Sequence, residues 1–161
     1  MTNYKWNYTF LHPSDLPEKA QRFITLVDLD VSDLTLMLLT PCPNGAFIKS
    51  FDKLESRKPN RKWAAIAEYG AIYFFDDYRH VGTAIHELTH IYFSQSMFTK
   101  HKKYDLRAMG EKFIAQYGIT ALSTYAQISV FDNDWEEVVC EIVATYGRRG
   151  QFNKIKELLN Q

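Results

Sequence analysis

Ala84-Ile85-His86-Glu87-Leu88-Thr89-His90-Ile91-Tyr92 decides how the rest of the chain is read. Within it stands the pattern His86-Glu87-x-x-His90. On a helix, residues four apart stand one turn apart on the same face, so His86 and His90 can grip a single metal ion. Glu87 lies beside them, where it can take a proton from a water that the metal activates. At about 3.6 residues per turn, Val81, Ala84, Ile85, Leu88, Ile91 and Tyr92 fall in one apolar stripe, centred roughly 180° from the midpoint of the two histidines. The spacing predicts a helix from Arg79 or Val81 to Gln95, with one side packed on the protein body and the histidines facing a cleft. A surface helix with two solvated histidines would show the same two faces, so the choice turns on a further ligand.

A catalytic zinc takes three protein ligands and keeps one position open. Asp134-Trp135-Glu136-Glu137-Val138-Val139-Cys140-Glu141-Ile142-Val143 predicts a second helix, from Asp134 to Tyr146. Trp135, Val138, Val139, Ile142, Val143 and Tyr146 form its apolar stripe, and Glu137 and Glu141 stand one turn apart on the opposite face. Two helices thus each carry a polar pair opposite a buried stripe. Bringing the pairs together makes His86, His90 and Glu137 a candidate metal site, with Glu141 accepting a hydrogen bond from a ligand histidine. The reverse assignment, Glu141 as ligand and Glu137 as its support, stays open. Glu136 falls toward the edge of the stripe and ranks below Glu137. Cys140 points away from the centre of the pair and reads as packing. Without the histidine motif, these glutamates would read as an ordinary solvated face.

The remaining composition is permissive. At 161 residues the chain can bury a real core. Lys+Arg and Asp+Glu both number 19, so no charge excess argues for nucleic acid or a membrane surface as partner. Cys42 and Cys140 do not form a disulfide framework and read as free thiols of a reducing compartment. Met1 to Tyr8 holds no apolar core of a secretory signal, and the apolar run Leu34 to Leu39 is too short to span a membrane. The expectation is a cytoplasmic protein; export by a signal-independent route stays open.

Along the chain, residues 1–13 are aromatic and irregular, a strand or an arm. Ser14 is placed to cap a helix carrying Leu16, Ala20, Phe23, Ile24 and Val27. Leu34 to Thr40 reads as a buried strand stopped by Pro41-Cys42-Pro43-Asn44-Gly45, and Ala46 to Phe51 as a second strand. Glu55 to Lys62 is polar and reads as a loop. Lys62 to Ala67 and Ala71 to Phe75 predict a hairpin around Tyr69-Gly70. Asp76-Asp77 then offers caps and negative charge to the histidine helix. Further helices are expected from Tyr104 to Tyr117, closed by Gly118, and over Phe152 to Leu159. Between them, 119–133 is mixed, and Gly147 to Gly150 breaks the helix of Glu137. No repeat or linker divides the chain, so 1–161 reads as one domain. Strands come early and helices late. The fold class is α+β, with a small mixed or antiparallel sheet in the N-terminal half packed on the histidine helix and a mainly helical C-terminal half.

With His86-Glu87-Leu88-Thr89-His90 and a distant glutamate on a later helix, the sequence resembles the gluzincins, zinc metallopeptidases that use two histidines and one glutamate. More narrowly, it is similar to the catalytic domain of anthrax lethal factor and its relatives. Leu122-Ser123-Thr124-Tyr125-Ala126 matches that group's Ser-x-Tyr-Gly/Ala-like segment, and Glu137-Val138-Val139-Cys140-Glu141 matches its ExxxE pair. The gap of 47 positions from His90 to Glu137 is of the family's length. The resemblance covers about Tyr73 to Tyr146. One departure is the stretch from Tyr125 to Glu137, which is longer than the family's.

The resemblance implies a zincin-like fold, Zn2+ as cofactor, a protein or peptide substrate, and Tyr125 as donor to the oxyanion. A phenol suits that task, being a neutral donor at pH 7 and long enough to reach across a cleft. The plain alternative is one more core aromatic among ten tyrosines. In gluzincins a strand lining the cleft pairs with extended substrate; here it would be Ala71 to Phe75 or Trp63 to Ala67. The expected reaction is peptide-bond hydrolysis with Glu87 as general base. One rival is a regulatory gluzincin that cleaves a single intracellular protein such as a repressor. The other is a zinc-binding interaction module that no longer cleaves, against which the intact Glu87 speaks. His80 and His101 read as surface histidines. Oligomeric state is not readable.

Overall fold

The computed structural model describes residues 6–41, 65–68, 70–75 and 77–160. Four strands form one mixed sheet: β1 (Trp6–Leu11), β2 (Thr35–Pro41), β3 (Ala65–Glu68) and β4 (Ala71–Phe75), in the order β1-β2-β4-β3. β1 is antiparallel to β2, β2 parallel to β4, and β3 antiparallel to β4. Side chains alternate faces along a strand. Leu36 therefore pairs with Ile72, and Leu38 with Phe74, on the face packed against the helices. Met37, Leu39 and Phe75 form a smaller buried cluster on the opposite face. β3 and β4 are the hairpin expected around Gly70. The expected strand over Ala46–Phe51, the loop over Glu55–Lys62, the turn residues 42–45, and residues 1–5, 62–64, Tyr69 and Asp76 lie outside the described residues.

Among the described residues there are six α-helices: α1 (Glu18–Leu26), α2 (Val81–Thr99), α3 (Leu106–Tyr117), α4 (Thr124–Phe131), α5 (Trp135–Arg148) and α6 (Phe152–Leu159). The chain is α+β and mostly helical. Its main core runs from Leu16 to Leu159 and takes in Phe23, Leu36, Phe74, Ile85, Leu88, Val138, Val143 and Ile155. Among these residues no helix is long and apolar enough to cross a membrane.

Several boundaries differ from expectation, each for a local reason. Ser14 does not cap α1. It lies in a 3-10 turn, Pro13–Asp15, whose cap is His12. Pro17 holds Leu16 extended at ψ 156° and has no N–H to donate, so α1 begins only at Glu18. Asp77 does not cap α2 either: its carboxylate accepts the Arg79 backbone N–H at 2.9 Å, forming a turn before the helix. α2 continues one turn beyond Gln95 to Thr99, since Ser96 is buried and nothing in 96–99 stops it. Gly118, at φ 85°, closes α3 as expected, in a conformation few other residues adopt.

α5 ends at Arg148, inside the expected Gly147–Gly150 break, after running through Gly147. Gly147 is buried, and a Cβ there would collide with Ile85 Cδ1 on α2. The glycine is a point of close helix approach rather than a stop. α2 is also more deeply buried than a one-sided helix: Ala84 to Thr89 are all buried, His86 and Glu87 included. We expect Gly147→Val to overpack the α2–α5 contact and destabilise the fold by about 1–3 kcal/mol. It should appear as a lower urea midpoint at unchanged slope; an unchanged midpoint would mean that the contact is loose.

Candidate metal centre

α2 and α5 pack antiparallel. His90 meets Glu136 and Glu137, one turn back His86 meets Glu137 and Glu141, and near the start of α2 Gly82 lies beside Arg148. Local sequence sets up this register. Asn133 takes a positive φ of 58°, and its side chain accepts the Trp135 indole N–H at 2.7 Å. Asp134 then caps α5 through the Glu137 N–H. That tight turn folds α5 back along α4 and sets Tyr125 opposite Glu137.

At the centre, Glu137 lies between two imidazoles. Its Oε1 is 2.6 Å from His90 Nε2 and its Oε2 is 2.9 Å from His86 Nε2. One ligand atom from each of His86, His90 and Glu137 lies within 4.8 Å of the others. Two neutral imidazoles and a carboxylate are a nitrogen-and-oxygen donor set that suits a divalent transition metal. The residues therefore fit a metal ion, as the sequence pattern led us to expect.

The remote nitrogens have partners of their own. His86 Nδ1 is 2.6 Å from Glu141 Oε2, and Ser123 Oγ donates to Glu141 Oε1 at 3.1 Å. The same Ser123 hydroxyl accepts the Ala126 N–H and caps α4. Glu141 is thus the support and Glu137 the residue between the imidazoles. His90 Nδ1 is 2.5 Å from Glu136 Oε2. The low rank given to Glu136 is corrected: its side chain reaches His90 because α2 and α5 approach closely. A signal for it was present. Each ligand histidine needs an Nδ1 partner, and Glu136 is the one α5 carboxylate not otherwise assigned. Cys140 is fully buried, as a packing residue should be, but it does not turn away from the site. Its thiol lies near His90, and burial pushes it up to about 12, so it is a neutral thiol.

Tyr125 is no core aromatic. It is 43% exposed, and its hydroxyl donates to Glu137 Oε2 at 2.8 Å. Glu87 is buried on the neighbouring flank of α2, and the Ala67 backbone N–H of β3 faces its carboxylate. β3 ends the sheet among the described residues, and Ala65, Ile66 and Ala67 line the same cleft of about 950 Å³ as His86, Glu87, His90, Tyr125 and Glu137. Of the two candidate cleft strands, then, β3 lies there and β4 is internal. His101 is exposed, as expected. His80 is exposed too, but it stands at the far end of the cleft.

Electrostatics follow from burial and pairing. Burial opposes charge on His86, but hydrogen bonds to Glu137 and Glu141 carry its imidazole up to about 9. Burial also works against the charged form of His90, and its hydrogen-bonded partners Glu136 and Glu137 hold it above its ordinary value. Desolvation would raise Glu137, yet its two imidazole partners hold it well below the usual carboxylate range. Glu141 is lowered against burial in the same way by His86. Glu87 goes in the other direction: burial raises it, against the pull of His86 and His90.

Comparison of the chain with protein-family profiles, curated proteins and solved structures finds no significant match.

Removing the central carboxylate, Glu137→Ala, should abolish tight metal binding. Glu136→Gln and Glu141→Gln should each weaken it by about 10–100-fold. A chelator competition titration measures all three; full occupancy in Glu137→Ala would move the third ligand elsewhere. Metal uptake must also displace protons from His86 and His90, because both imidazoles are raised without metal. Affinity should therefore rise with pH from 6 to 8. Calorimetry in buffers of different ionisation enthalpy should register proton release.

Proposed function

We propose that the protein is a zinc-dependent endopeptidase of gluzincin type, with a zincin-like fold, acting on a protein or peptide substrate. One observation carries this reading: a metal-binding triad and a buried carboxylate, Glu87, share one wall of a cleft bordered by a strand. A binding site for metal alone has no use for a further carboxylate whose proton affinity burial has raised. A zinc ion held by His86, His90 and Glu137 would polarise the scissile carbonyl and acidify water.

The chain's own residues supply the rest. Glu87 accepts a proton from the attacking water and passes it to the leaving amine, a task favoured by a carboxyl raised toward the working pH. Tyr125 releases its hydrogen bond to Glu137 and donates to the carbonyl oxygen as negative charge gathers there. Glu141 and Glu136 hold the two imidazoles by their Nδ1 atoms and fix the ring planes. β3 offers backbone groups along the cleft to an extended peptide.

Glu87→Gln is the decisive variant. Its metal content should equal that of the wild type, while chelator-sensitive cleavage of a mixed peptide library should fall at least about 100-fold. Cleavage at the wild-type rate would falsify the assignment of the base. Zinc occupancy without cleavage of any library member, and without new protein N-termini in treated lysates, would favour a metal-binding interaction module.

A further inference from the structure

The cleft is electrically divided. Its lining carboxylates, Glu87, Glu136, Glu137 and Glu141, all stand at the metal end, and each is taken up: by Ala67 N–H, by His90, by both histidines with Tyr125, and by His86 with Ser123. The other end is lined by Arg79, His80 and Arg148. Between the two ends the α5 face offers only Ala144 and Thr145, and α2 offers Thr83, none of them charged. Positions 137, 141, 144, 145 and 148 share one face of α5 by helical spacing, so the charge changes sign along a single stripe.

The cations are not equivalent. Asp77, which does not line the cleft, takes Arg79 Nε at 3.0 Å and stands 3.7 Å from His80. This orients Arg79 and leaves its terminal nitrogens for another acceptor. Arg148 has no carboxylate partner among the described residues. Its stem lies beside Gly82: a Cβ there would be 3.9 Å from Arg148 Cδ, an ordinary van der Waals contact. Its backbone is held as well, since Lys19 Nζ donates to the Arg148 carbonyl at 2.8 Å. An arginine placed along a cleft wall, with its guanidinium unpaired, is a receptor for a planar anion.

We infer that the cleft selects a peptide bearing a carboxylate about three to five residues from the reacting bond, received by Arg148 with Arg79 and His80 beside it. The peptide identity of the ligand rests on the function proposed above; the charge of the subsite does not. The spacing follows from the helix. Arg148 is eleven residues past Glu137, about 16 Å along the axis; extended peptide advances about 3.3 Å per residue, and the arginine side chain can span part of that distance. An acidic side chain and a free chain terminus both supply that carboxylate.

Fluorescence anisotropy with labelled decapeptide pools tests this. Each pool fixes Glu, Lys or Ala at one position, and each ends in either a free carboxylate or an amide. The partner is the full-length Glu87→Gln protein in zinc-containing buffer. At one or two positions, Glu pools should bind about tenfold tighter than Lys pools, with the difference shrinking as salt is raised. A preference that needs the free terminus identifies a chain end; one that survives amidation identifies a side chain. Arg148→Glu should erase the preference, and Arg79→Glu with Arg148→Glu should turn it toward Lys. Arg148 is exposed, and reversal toward Lys is something a misfolded variant would not produce. Equal binding of Glu and Lys pools, no binding of any pool, or a preference unchanged in the double variant overturns the inference. Cleavage by the wild type is scored separately. If it is absent while the Glu preference holds, the peptidase reading falls and the carboxylate subsite stands.

Discussion

Everything at the centre depends on how closely α2 and α5 approach each other. The two helices run antiparallel with their polar pairs facing, so one carboxylate, Glu137, reaches both Nε2 atoms. That approach requires Gly147 under Ile85, and it requires continuous burial of Ile85, Leu88, Val138, Val139, Ile142 and Val143. A wider separation would leave four carboxylates and two imidazoles as separate solvated groups. At the observed separation they form one network, and no buried polar side-chain atom among the described residues lacks a hydrogen-bond partner. Charged groups tolerate such burial only when paired.

The network also explains why the residues around the motif are what they are. Each imidazole has one nitrogen toward Glu137 and the other on a carboxylate of its own. Ring orientation is therefore set before any metal arrives, which limits the ordering that binding must impose. Ser123 ties a third helix into the arrangement, because one hydroxyl both caps α4 and holds Glu141. Tyr125 follows two residues later and is delivered to Glu137. The sheet contributes from the other side, where β3 brings its backbone to Glu87 and completes the wall.

Charge separation within the cleft has the same origin. α5 carries glutamates early and an arginine at its end, an order that also suits the helix dipole. Antiparallel packing on α2 sets the basic end of α5 beside the segment that begins α2. The result is a cleft whose anionic half is paired with histidines and whose cationic half carries, among the described residues, an arginine with no carboxylate partner.

Much of this was legible in the sequence because helical periodicity converts spacing directly into a shared face. His86 with His90, Glu137 with Glu141, the two apolar stripes, the β3–β4 hairpin and the α+β class needed no tertiary information. The distance between faces is not written in spacing. Glu136 could not be placed beside His90, nor Cys140 against it, until the approach of α2 to α5 was known. Gly147 reads as a helix stop by local propensity, and only packing made it a contact point. Pro17 shifted the start of α1 through a backbone constraint that a periodicity reading ignores. Sequence alone therefore determined which residues could act together, through the geometry of a single helix turn. Tertiary structure decided how far each side chain reaches, because that is set by the gap between two helices rather than by the repeat along one.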